Sequence, residues 1–240
     1  SDRPRIAAFD ELVISNEQTL IHDFATIKQF DIPVMNEFAK FYKKAGDFIE
    51  RFEFGVTPVQ PEIDKLLAID NFADWVKQIP DLILNSQLPV PFSLSVDTDM
   101  KDAVHYALIF SGPGLILPDT TYYDPTHPRK AELLAFYADN TIAIMQEFGY
   151  NKLEATKHAE NIIKFDALVA KYANTSEEWA KYAELYQPVS IEAFSSTITT
   201  LAVSDVIKAL IGKLPDKVIV YEKRIYDNFN HIINEANFER

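Results

Sequence analysis

The chain has 240 residues, 48 % hydrophobic and 12 % aromatic, enough apolar material for a sizeable core, which excludes an intrinsically disordered protein. Its 36 acidic side chains outnumber 23 basic ones, and the net charge of −13 without any basic stripe excludes a nucleic-acid backbone as partner. With no cysteine, disulfides, thiol nucleophiles and thiolate metal sites are excluded as well.

In chain order, Phe9, Leu12, Val13, Leu20, Ile21, Phe24 and Ile27 recur at helical spacing. A second face, Val34, Phe38, Phe41, Ala45, Phe48 and Phe52, opens on Pro33, which a first helical turn accepts. Phe72, Trp75, Val76 and Ile79 follow Asp70, the expected cap, and Pro80 is expected to end or kink that helix. The period then changes to two: Phe92, Leu94 and Val96, a turn at Asp97-Thr98-Asp99, then Val104, Tyr106, Leu108 and Phe110. This pattern predicts an antiparallel hairpin.

Helices resume after Pro128 and pause at Gly149, which can take the left-handed conformation. Asn151 with Glu154, and Thr175 with Glu178, have capping-box spacing. Further apolar faces are Ile162, Phe165, Leu168, Val169 and Tyr172, then Trp179, Tyr182, Leu185 and Tyr186. Ser204 is expected to start a helix that Gly212 stops. Val218-Ile219-Val220 reads as a short strand before a last helix from Ile225 to Ile233. The expected fold class is therefore mainly α, a multi-helical domain with one small antiparallel β-hairpin, in a single domain over residues 1–240.

Metal and nucleotide motifs are missing. The five histidines, His22, His105, His127, His158 and His231, are scattered, and none stands in H-E-x-x-H, so no metal ligand is expected in this chain. Asp97-Thr98-Asp99 lacks the glycine that a calcium loop turns on, with Asp102 at that position. Gly112-Pro113-Gly114 is followed by no phosphate-loop lysine, and no serine sits in G-x-S-x-G. No catalytic residue is expected.

The segment Ser111-Gly112-Pro113-Gly114-Leu115-Ile116-Leu117-Pro118-Asp119-Thr120-Thr121-Tyr122-Tyr123 reads as a strand exit. Its glycines would serve a positive φ, its aliphatics would plug a core, and both tyrosines would keep their hydroxyls in water. It also resembles the Gly-Leu-x-Leu-Pro-Asp-x-x-Tyr-Tyr signature of the neprilysin family of zinc metallopeptidases, matched here by Gly114, Leu115, Leu117, Pro118, Asp119, Tyr122 and Tyr123. Pro91-Phe92, Val96-Asp97, Asp99 to Asp102, Ser176 to Trp179, Tyr186 to Val189 and Asn234 to Phe238 are similar to the bacterial endopeptidase O branch of that family.

The resemblance implies a two-lobed endopeptidase, with zinc held by the other lobe of a longer polypeptide and not by this chain. This chain would be the amino-terminal helical lid that encloses oligopeptide substrates, limits their size and is inactive alone. Its start at Ser1-Asp2-Arg3-Pro4 and its stop at Arg240 agree with that expectation. By family spacing, Arg5 and Asp10 are the substrate-binding candidates; Val13 stands where a second arginine would complete a carboxylate fork. The expected partners are the catalytic lobe and oligopeptides, without nucleic acid or a membrane segment, and the expected location is cytoplasmic. The alternative is a stand-alone helical module that binds peptides or a protein through Tyr122, Tyr123, Tyr182 and Tyr186.

Overall fold

A computed structural model describes residues 8–86, 88 and 90–238. The chain divides into two compact units, Ser1–Pro58 and Val59–Arg240.

The first unit is helical: α1 (Ala8–Thr26), α2 (Pro33–Ala45) and α3 (Phe48–Phe54). The second periodic run of the sequence is two helices, not one. The Gly46 amide closes α2 on the Tyr42 carbonyl at 2.9 Å, and the Asp47 carboxylate restarts the chain by accepting from the Glu50 amide at 3.0 Å. Between α1 and α2 the Asn36 side chain bonds both the amide and the carbonyl of Phe30. The Phe24 ring packs against Phe30 and Tyr42 at 5.6 and 5.7 Å. Most of the remaining apolar side chains here, among them Phe9, Phe41, Phe48 and Phe52, are exposed.

The second unit opens with α4 (Gln60–Leu67), too short to show a period in the sequence, and α5 (Phe72–Leu84). The cap of α5 is Asn71, whose side chain accepts from the Asp74 amide at 2.9 Å, and not Asp70. Pro80 lies inside this helix and does not end it. Its fixed φ is helical, and burial of Ile79 and Leu82 on either side offsets the one hydrogen bond it removes.

Strands β1 (Ser93–Asp99) and β2 (Asp102–Ser111) form the expected hairpin, with Ser93 opposite Ser111 and Val96 opposite Leu108. Its turn is at Met100–Lys101, while Asp97 to Asp99 belong to β1. The reason lies in Asp99: its buried carboxylate accepts from the Lys101 amide at 2.9 Å, the Tyr186 hydroxyl at 2.9 Å and Lys217 Nζ at 2.7 Å. Those donors hold it below the usual carboxylate range, at about 2, with Lys217 the largest cause.

The hairpin is half of a larger sheet than the sequence suggests. Strands β3 (Gln187–Ser190) and β4 (Lys217–Val220) complete the order β1-β2-β4-β3, in which β2 and β4 are parallel and the other pairs antiparallel. Central β4 is buried at Val218, Ile219 and Val220 alike, which is why it reads as a continuous apolar run. Phe110 of β2 meets the Phe194 ring at 5.4 Å, and Phe194 stacks on Tyr226 at 5.1 Å. Phe229, Ile207 and Val169 close this core.

The other helices are α6 (Lys130–Glu147), α7 (Lys152–Ala170), α8 (Ser176–Ala180), α9 (Ile191–Thr197), α10 (Val203–Ile211), α11 (Lys223–Asp227), α12 (Phe229–Ile232) and α13 (Glu235–Phe238). Both capping boxes form, at Asn151–Glu154 and Thr175–Glu178. Gly149 and Gly212 take positive φ of 90° and 76° where α6 and α10 finish. Ser204 is not a cap: α10 starts at Val203, and the Ser204 hydroxyl pairs with that of Ser195 at 2.6 Å. The expected last helix, Ile225 to Ile233, is two short ones, α11 and α12, with α13 beyond it. The run from Trp179 to Tyr186 is helical only in α8 before the chain turns into β3. No described helix is long and apolar enough to cross a membrane.

Phe110 joins the sheet to the helices. Phe110→Ala is expected to destabilise the chain by about 3–5 kcal/mol, seen as a lower urea midpoint.

Candidate functional site

The chain leaves β2 at Ser111 and crosses to α6 with no ladder of its own. Gly112 is needed for a close approach, not for φ, since neither Gly112 nor Gly114 has a positive φ. A Cβ on Gly112 would lie 2.1 Å from Ile225 Cδ1 and 2.8 Å from Glu222 Oε2. That proximity lets Glu222, 4 % exposed, accept from the Gly112 amide at 2.6 Å. Its other oxygen accepts from the Asn174 amide at 3.0 Å, and the Asn174 side chain donates to the Tyr221 carbonyl at 3.1 Å. One buried carboxylate thus ties the strand exit to the link between α7 and α8. Gly114, by contrast, has nothing within 4 Å of where a Cβ would stand.

A second carboxylate holds the next turn. Asp166, on α7 and 8 % exposed, accepts from the Ile116 amide at 3.0 Å and from the Tyr123 hydroxyl in a short hydrogen bond. The same hydroxyl accepts from the Leu117 amide at 3.2 Å. Tyr123 therefore does not keep its hydroxyl in water, as the sequence suggests, because burial leaves Asp166 needing a donor. Burial raises the Asp166 carboxyl above its usual range, and burial together with Asp166 raises the Tyr123 phenol. Leu117 is buried, and Leu115 packs on the core edge.

Pro118 then turns the chain, and Asp119 caps the 3-10 turn Thr120–Tyr123 by accepting from the Thr121 amide at 2.9 Å. Its second oxygen accepts from the Ser176 amide at 2.8 Å and the Ser176 hydroxyl at 2.5 Å. These bonds, Ser176 foremost, hold Asp119 well below the usual carboxylate range. Tyr122 lies against the His127 ring, centroids 4.1 Å apart. Nearby, Arg224 forks onto Glu178 at 2.6 and 2.7 Å and donates to the Ala173 carbonyl at 2.8 Å. Arg224 is the main cause of the low Glu178 carboxyl, at about 2.

Between this segment and the start of α8 lies a cleft of about 360 Å³, lined by Gly112, Pro113, Asp119, Asn174, Trp179 and Glu222 among others. A separate, apolar hollow of about 250 Å³ lies among Phe72, Trp75, Phe165, Ile232 and Phe238.

Gly114, Leu115, Leu117, Pro118, Asp119, Tyr122 and Tyr123 thus occupy one continuous turn anchored by Asp166, Ser176 and Glu222. Sequence reasoning missed those three anchors, Gly112's close approach and Asn174. Asp166 carried a faint signal, a carboxylate set within the apolar face Phe165, Leu168 and Val169. Arg5 lies outside the described residues. Asp10 is partly buried in the first turn of α1. Tyr182 is exposed, whereas Tyr186 spends its hydroxyl on Asp99. Among the described residues no three histidine, aspartate or glutamate side chains gather to hold a metal, so they do not fit zinc.

A family model described as Peptidase family M13 matches residues 1–240. The chain is 50 % identical over 241 residues to a neutral endopeptidase of Lactococcus lactis subsp. cremoris, in an alignment covering 99 % of this chain and 38 % of that protein. The crystal structure of PEPO from Lactobacillus rhamnosis HN001 superposes with a TM-score of 0.82 at 25 % identity, covering 99 % of this chain and 38 % of that one. The zinc metalloprotease ZMP1 of Mycobacterium tuberculosis, in complex with an inhibitor, shares the fold at a TM-score of 0.72 and 16 % identity, with the same coverage. The chain therefore spans 38 % of the length of these relatives.

Gly112→Ala is expected to push the loop off Glu222 and cost about 1–3 kcal/mol in urea unfolding. Gly114→Ala should stay within about 0.5 kcal/mol. The acid limb of stability separates the two kinds of carboxylate. Glu178, lowered in the folded state, stabilises above its usual range and loses that contribution as pH falls toward 2. Asp166, raised, has the opposite sign and destabilises as pH rises through its elevated value. Glu178→Gln should flatten the loss of stability below about pH 4, and Asp166→Asn should remove a loss on the alkaline side of the carboxylate range.

Proposed function

The chain belongs to peptidase family M13, and from that membership we propose that it is the substrate-enclosing lid of a zinc metalloendopeptidase acting on oligopeptides. The observation that carries the reading is the match over all 240 residues together with coverage of 38 % of a neutral endopeptidase. Zinc and its activated water belong, in this reading, to the remainder of a longer polypeptide, since the described residues of this chain gather no ligand set. The role of residues 1–240 is then to wall off a cavity, as one lid domain, and to admit only chains that enter unfolded. Neither the lid nor the size limit requires a catalytic group here.

Arg5 and Asp10 are the proposed substrate contacts. Because Val13 replaces the second arginine of the family pattern, no fork awaits a terminal carboxylate, and cleavage at internal bonds is favoured.

The test uses the longer protein loaded with zinc. One cleavable sequence is presented as a free peptide and inside a folded carrier; the peptide should be cut and the carrier spared. Equal cleavage of both would sink the lid reading. Peptides ending in an acid and in an amide should have kcat/KM within about threefold of each other, whereas a lost charge-assisted bond would cost at least about tenfold.

A further inference from the structure

The cleft beside α8 has a chemistry that the lid reading does not use. Its lining contains two carboxylates, Asp119 and Glu222, and no lysine, arginine or histidine. Glu222 is the more telling. It is buried, its oxygens accept from two backbone amides, and no ion pair reaches it among the described residues. A buried charge is ordinarily matched by an opposite one. The nearby cation, Arg224, attracts Glu222 only at a distance and spends its hydrogen bonds on Glu178 and on the carbonyls of Tyr172 and Ala173.

The facing wall supplies the second half of a recognition site. Trp179 lines the cleft and is 38 % exposed, although a large aromatic ring gains from cover. An indole face beside carboxylates that make no direct ion pair suits an organic cation, which it attracts through its quadrupole. A bare metal ion fits less well, because the described residues gather no group of three ligands. At about 360 Å³ the cleft has room for a long side chain. Pro113 and Pro118 restrict the opposite wall, so the space is largely pre-formed.

We propose that this cleft binds an alkylammonium or guanidinium head, such as the side chain of a lysine or arginine in an extended peptide, between Trp179 and the carboxylates Asp119 and Glu222. Only residues of this chain take part, so the inference stands whether or not the peptidase reading holds.

The experiment titrates the 240-residue chain with Nα-acetyl-lysine amide, its neutral Nε-acetylated counterpart and butylamine, following amide resonances by NMR and tryptophan fluorescence. The charged lysine probe should bind with a Kd on the order of millimolar, shifting resonances in 112–120 and 174–179, and the neutral one at least about tenfold more weakly. Trp179→Leu should weaken binding about three- to fivefold and Trp179→Phe less, with both variants still folded at the temperature of the titration. Butylamine binding as tightly as the lysine probe would identify free amines as sufficient ligands; weaker binding would identify the peptide side chain. Equal binding of charged and neutral probes overturns the proposal. So do shifts confined to other residues, an unaltered affinity in Trp179→Leu, or no shift at roughly 50 mM probe.

Discussion

A backbone that leaves a sheet without joining a helix must find other partners for its amides, and here two buried carboxylates provide them. Glu222 takes the amides of Gly112 and Asn174, and Asp166 takes the amide of Ile116 with the hydroxyl of Tyr123. Buried amides left without acceptors would cost about 1–3 kcal/mol each, so the segment has no cheap alternative conformation. Together with the bonds from Ser176 to Asp119, those two side chains fix the 111–123 turn.

Glu222 stands where it does because of the sheet, Asp166 because of a helix. Glu222 follows β4 by two residues, and β4 runs parallel to β2 in the middle of the sheet. The parallel pairing brings the end of β4 beside the end of β2, so the carboxylate arrives at the strand exit that needs it. Asp166 comes from α7, whose register is set by its capping box at Asn151 and by the burial of Val169 and Ala170. The signature is thus less a motif in itself than half of a lock, with the other half far along the chain. The same arrangement opens the cleft, since holding the loop against Glu222 leaves room between Pro113 and Trp179.

Several features are legible in the sequence. The capping boxes, the glycines that finish α6 and α10, and the alternation of the hairpin are local rules, each decided within a few residues. The departures from local expectation share a cause. By its own chemistry Pro80 should end α5, Asp97 to Asp99 should turn the hairpin, and Tyr123 should stay wet. In each case tertiary contact outweighs the local preference: the burial of Ile79 and Leu82, the Lys217 and Tyr186 donors to Asp99, and Asp166. Glycine shows the same division. Gly149 and Gly212 act through their own φ, whereas Gly112 acts through space that Ile225 and Glu222 occupy.

By itself the sequence determined the mainly helical class, the hairpin, the lack of a metal motif and, through ten consecutive positions from Gly114 to Tyr123, the resemblance to a peptidase family. Those are properties of composition, period and short spacing. Tertiary structure alone decided that the hairpin is half of a mixed four-stranded sheet, that Asp166 and Glu222 carry the turn, and that a carboxylate-lined cleft faces Trp179. The physical reason is separation: Gly112 and Glu222 are 110 residues apart, and only the parallel pairing of β2 with β4 makes them neighbours.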